Sequence, residues 1–192
     1  MGAMADYAVK ALTPATWDDF AGLAVQHHGV WGGNWCMAFH SGFAKDAGAA
    51  GNLAAKVGLV RAGRAHAALV YAGGDVSDGA SSGPLRTCPG SRIAGPMRRC
   101  KVGCRITCVF VDKGWRGRGV AAAALTGALA VIAKAGGGHV ESFPEKVAGR
   151  KPAAAFLHNA EAVRFDRAGF DRVRKLGKAR WSVERAVLPD HS

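Results

Sequence analysis

Cys104-Arg105-Ile106-Thr107-Cys108-Val109-Phe110-Val111-Asp112, followed by Arg116-Gly117-Arg118-Gly119-Val120-Ala121 and an Ala/Leu-rich run to Ala135, decides how this chain is read. The β-branched and aromatic residues of Ile106 to Val111 predict a strand, and Val120 to Ala135 predicts a helix ended by Gly136-Gly137-Gly138. Between them lies a basic, glycine-rich turn. Unpaired amides at a helix N-terminus point outward with the positive end of the helix dipole, and glycines let a phosphate approach the backbone closely. Arg116 and Arg118 add charge at the same spot. The turn is not a Walker loop, since no Gly-Lys-Ser/Thr follows, and not a dinucleotide fingerprint, since the third glycine is missing. Taken alone, the hexamer is a weak signal whose plainer reading is a basic turn before a helix.

Upstream, Thr13-Pro14 opens a helix over 14–27, with Trp17, Phe20 and Leu23 at helical spacing. Gly29 to Gly42 reads as an irregular loop that packs Trp31, Trp35, Met37 and Phe39 on a core. Asn52 to Ala62 reads as a second helix closed by Gly63, and His66 to Tyr71 as a strand. Gly73 to Gly103 dissolves into Gly, Ser, Pro, Arg and Cys, an unusual length of structureless chain inside a domain. Downstream, His139 to Phe143 reads as a strand stopped by Pro144. Ala153 to Ala168 is a helix stopped by Gly169, and Phe170 to Val173 and Trp181 to Val187 are closing strands.

The 192 residues, 49% apolar, suit one domain with a continuous core, taken as 1–192 with an anomalous loop-like segment over 77–103. No stretch approaches the roughly 18 uninterrupted apolar residues of a membrane span, and no secretory layout is seen, so a cytoplasmic protein is expected. Five cysteines, an odd number, argue against a disulfide scaffold. Cys88, Cys100, Cys104 and Cys108 lack the close pairing of a structural zinc site, so no metal is expected. The net charge of +12 suits a polyphosphate ligand, nucleic acid or anionic lipid. Its basic residues are scattered, and a nucleic-acid reading rests on charge alone.

The strand from Arg105, the R-x-x-G-x-A turn, the Ala-rich helix, Val140-Glu141-Ser142-Phe143-Pro144, Asn159 and Phe165-Asp166-Arg167-Ala168-Gly169-Phe170 together resemble the GNAT superfamily of acetyl-CoA-dependent N-acetyltransferases. Trp35-Cys36-Met37-Ala38-Phe39-His40 resembles a subgroup with a W-C-x-x-F-H loop. The resemblance implies an α/β (α+β) fold with a mixed, mostly antiparallel sheet flanked by helices and a splayed strand pair holding the cofactor. It implies acetyl-CoA held by the backbone of Val109, Phe110 and Val111, by the amides of Gly117, Gly119, Val120 and Ala121 beside Arg116 and Arg118, and by Asn159. The acceptor would be a primary amine on a small molecule or peptide. Glu141 is the candidate base, set against a strand carboxylate merely paired with an arginine. Many members carry a tyrosine acid where this chain has Phe165. Two alternatives accompany the enzyme: a GNAT-fold acyl-CoA binder without useful turnover, and a nucleic-acid binder.

The subgroup has GWCQFG and LPRI segments after its second strand, where this chain has Asp78 to Arg99. Joining the third base of each codon to the next two lets Asp78 to Gly83 yield W-C-Q-F-G and Arg86 to Ser91 yield D-L-P-R-I. Ser77 to Gly103 therefore reads as a frame-shifted stretch, expected to form a poorly ordered loop, with the sheet lacking one central strand or holding a weak substitute.

Overall fold

A computed structural model describes residues 7–30, 32–40, 43–44, 46–72, 75–84, 103–145 and 161–190, with 75–84 described through the backbone. Its described strands form one seven-stranded sheet in the order β1-β2-β3-β4-β5-β7-β6. These are β1 (Ala8–Ala11), β2 (His66–Ala72), β3 (Asp75–Pro84), β4 (Gly103–Val111), β5 (Gly138–Ser142), β6 (Asp171–Leu176) and β7 (Arg180–Val187). Every pairing is antiparallel except β4 with β5. The described α-helices are α1 (Trp17–Gln26), α2 (Gly48–Arg61), α3 (Val120–Lys134) and α4 (Ala162–Arg167).

Two apolar layers cover the sheet, as two-faced burial requires. On one face Ala68, Val70, Ile106, Val109, Val140 and Val183 pack with α3 residues Ala124, Leu125 and Ala128 and with Phe165 of α4. On the other, Ala67, Leu69, Tyr71 and Cys108 pack with Phe20 and Ala24 of α1, Leu59 and Val60 of α2, and Trp35 to Met37. The predicted aromatic loop thus reaches the core: Trp35 stacks on Trp17 with ring centroids 6.4 Å apart, and Met37 is buried. His28, Val30, Trp35 and Cys36 all hold positive φ, a left-handed conformation that non-glycine residues adopt at a steric cost.

Several expectations change. β3 runs through Ser77 to Pro84 between β2 and β4, so the expected loop is a central strand over that length; 85–102 lie outside the described residues. Ladder pairing is backbone chemistry, and Gly79, Ala80, Ser81 and Ser82 supply the same amides and carbonyls as any residues between two strands that offer partners. The final helix begins at Ala162, because Glu161 is extended (φ −86°, ψ 140°) and bridges to Glu145. The expected helical residues 153–160 lie outside the described part. β1 was not anticipated from its short sequence, and α2 begins four residues earlier than Asn52, at Gly48. Among the described residues no helix is long and apolar enough to cross a membrane, and no cluster of three or more His, Cys, Asp or Glu groups could hold a metal ion.

Candidate active site

β4 and β5 pair only at Gly103 with His139, Cys104 with Val140 and Arg105 with Glu141. From Ile106 onward β4 continues to Val111 while pairing on its other side with β3, and β5 ends at Ser142. The strands therefore part into a V. Its vertex is tied by the Ser142 hydroxyl, which donates to the Ile106 carbonyl at 2.9 Å. Beyond it, the β4–β5 register does not extend to Val109, Phe110 and Val111, and Arg116 Nε lies 3.4 Å from the Val111 carbonyl, to which it donates.

A register shift between Ser81 and Ser82 leaves Thr107 as the extra residue of β4. Such a bulge resets which face each side chain takes. Ile106 and Val109 both reach the α3 face, while Cys108 and Phe110 reach the α1–α2 face. Arg105, between Cys104 and Ile106 of the α3 face, alternates to the same face as Cys108, with Glu141 beside it.

At its far end β4 leads through a 3-10 turn, Lys113–Trp115, into the glycine-rich turn and α3. Gly117 (φ 78°) and Gly119 (φ 89°) are left-handed, a conformation that favours glycine. A Cβ built on either would meet nothing within 4 Å, so open space lies beside both glycines. Gly119 is the α3 N-cap and supplies no side-chain cap, and the first turn carries no acidic residue. The amides of Val120 and Ala121 are left for an outside acceptor, as at anion-binding helix starts. The turn is held from three sides. Asp112 accepts from the Gly114 amide at 2.6 Å, Tyr7 donates its hydroxyl proton to the Arg118 carbonyl at 2.8 Å, and the Arg118 guanidinium lies 5.0 Å from the Trp115 ring centroid. His27, at the end of α1, has its Nε2 2.8 Å from Asp112 Oδ2 and its ring edge-on to Phe110.

At the vertex, Arg105 is only 2% exposed. Its Nε donates to Glu141 Oε1 at 2.6 Å, its Nη2 donates to the same oxygen, and its guanidinium lies 4.8 Å from the Phe143 ring centroid. The candidate base is thus clasped by a buried guanidinium, the arrangement weighed against a catalytic role. Arg105 Nη1 is buried with no hydrogen-bond partner. The sequence reading missed Arg105 as a site residue, although a lone arginine inside an apolar strand was a visible signal. Phe165 is fully buried against Phe170, with ring centroids 5.0 Å apart. Asn159 lies outside the described residues.

A second polar cluster sits behind β4. Cys36 Sγ lies 3.9 Å from Cys108 Sγ, and the fully buried Lys56 Nζ lies 3.3 Å from His40 Nε2. The hydrogen bond shared with Cys108, followed by the Lys56 charge, brings the Cys36 thiol down to about 7 against opposing desolvation. Burial depresses Lys56 and brings His40 down to about 3, with the Lys56 and His66 charges adding to the latter.

No family model and no curated protein matches the sequence. Solved structures do. A candidate acetyltransferase of the GNAT family from Desulfovibrio desulfuricans superposes with a TM-score of 0.54 at 15% identity, over 95% of this chain and 99% of that one. This chain has the GNAT fold. Ribosomal-protein-alanine N-acetyltransferase from Brucella melitensis matches with a TM-score of 0.54 at 17% identity, over 93% and 99% of the two chains. An acetyltransferase from Thermus thermophilus matches with a TM-score of 0.52 at 14% identity, over 95% and 98%. The splayed pair lies in the middle of this chain's sheet, and the turn before α3 follows the C-terminal end of β4.

Proposed function

We propose that the chain is an acetyl-CoA-dependent N-acetyltransferase acting on a primary amine. The observation that carries this reading is the parting of β4 from β5 after Arg105, on a strand that runs directly into an open, left-handed glycine turn at a helix start. The residues present fit the cofactor. The Gly117 and Gly119 cradle is free of Cβ atoms, the amides through Ala121 face outward, and Arg116 and Arg118 supply charge for a pyrophosphate. The backbone of Val109, Phe110 and Val111, beyond the last pairing with β5, is the stretch we assign to an amide-bearing arm, and Asn159 joins it by resemblance. Bound acetyl-CoA supplies a thioester whose carbonyl carbon the amine nitrogen attacks.

This chain's own residues then orient and deprotonate. The amine arrives as an ammonium ion and must lose a proton before or during attack. Glu141 is the carboxylate nearest the vertex, and Arg105 fixes its orientation through Oε1. Phe165 has no proton to give, so the departing thiolate takes its proton from another group or from water. Calorimetry on Gly119→Val tests the cofactor site. A side chain there fills the space a phosphate needs, and loss of measurable acetyl-CoA binding is expected in a folded variant. Unchanged affinity would remove the site assignment. Release of free CoA across a panel of amines then reads the acceptor.

A further inference from the structure

Arg105 has more donors than the fold uses. A guanidinium carries five N–H groups in a rigid planar fork. Nε and Nη2 both go to one oxygen of Glu141, and Phe143 lies against the guanidinium. Nη1 is left with no acceptor although the side chain is 98% buried. Buried donors are paired in folded proteins because water is lost without replacement, so an orphan in a fixed orientation points to a ligand that completes it. The position of the residue supports this. The strands separate immediately after the Arg105–Glu141 pair, so the arginine that carries the orphaned donor belongs to the vertex of the proposed site, on the same sheet face as Cys108 and Phe110.

We infer that Arg105 Nη1 receives a carbonyl oxygen of the acceptor, and that the acceptor class is therefore amines carrying an amide or peptide carbonyl rather than plain alkylamines or polyamines. The charge balance favours a neutral oxygen. Glu141 already neutralises the guanidinium, so a carbonyl fills the vacant donor without bringing another charge out of water. A planar guanidinium held by Glu141 and by the Phe143 ring is preorganised, and a site built to hydrogen-bond an oxygen discriminates strongly against an analogue that lacks it. This assignment rests on the acetyl-transfer reading, and the same oxygen chemistry is also available from the thioester of the cofactor.

The experiment separates these sources. The wild-type protein, saturated with CoA, is titrated with 2-, 3- and 4-carbon ω-amino amides and with the alkylamines of matched length. Concentrations are corrected for the fraction of free amine. At least one amide is expected to bind tenfold or more tighter than its alkyl match. Equal binding across every pair, or no binding of any amide to the CoA complex, overturns the inference. In Arg105→Gln, and in Arg105→Lys should the first fail to fold, that preference is expected to collapse towards one while affinity for CoA itself is retained. Retention of the preference in a folded variant overturns it. A loss of affinity for acetyl-CoA but not for CoA, with the amide preference unchanged, assigns the oxygen to the thioester and also overturns it. Failure of the wild type to bind CoA at all instead removes the transferase reading on which the inference stands.

Discussion

His40 is 6% exposed, and burial, then the charges of Lys56 and His66, brings it from an ordinary 6.5 down to about 3. The unfolded chain takes up a proton at this residue as the pH falls through about 6.5, whereas the folded protein refuses it until about pH 3. Over that window the unfolded state binds more protons, so stability rises with pH; it is fully held above the unfolded value and lost as the pH falls towards the folded one. The shift of 6.5 − 3 = 3.5 units corresponds to about 5 kcal/mol at most. Between pH 7 and 5, before most carboxylates protonate, His40 alone is expected to remove about 2 kcal/mol. His66 is also lowered, by burial first and then by Lys56, and adds in the same direction. His40→Gln keeps an acceptor for Lys56 Nζ but cannot titrate. Urea unfolding at pH 5.0 and 7.0 should show the pH-dependent difference shrinking by about 2 kcal/mol in the variant. The same difference in both proteins would refute the argument, because the buried imidazole would then not be the group that resists protonation.

Gly127 lies in α3 where an added Cβ would fall 2.4 Å from Val9 Cγ1 and 3.3 Å from Ala68 Cβ. Gly127→Ala is expected to lower stability by about 1 kcal/mol, overpacking outweighing the gain in helix propensity, and the loss should reverse in a Val9→Ala background; thermal unfolding of the two variants checks this. Phe165→Tyr introduces a hydroxyl into a fully buried core position, so a loss of about 1–3 kcal/mol is expected, and an unchanged melting temperature would mean that the hydroxyl finds a partner. The coding DNA over Ser77 to Gly103 is expected to encode a GWCQFG-like strand in its minus-one frame; sequencing that shows no such reading ends the frame-shift proposal.

The sequence by itself determined the parts governed by local chemistry. Left-handed glycines before an alanine-rich run specify the turn and α3 wherever they occur, and Arg116 to Ala121 was legible for that reason. The β-branched run of β4 and the aromatic residues of Trp17 to Met37 likewise announced burial before their partners were known. Tertiary structure decided what depends on neighbours distant in the chain. β3 forms from Asp75 to Pro84 because β2 and β4 present hydrogen-bonding edges on both sides, which its own glycines and serines do not reveal. For Glu141 an arginine pairing was weighed from the sequence, but only the parallel register, which sets Arg105 beside it from 36 residues away, identified the partner. The orphaned Nη1 of Arg105 was beyond the sequence for the same reason. Whether a buried donor is satisfied is a property of the groups that folding brings around it, and residue type and spacing carry no record of them.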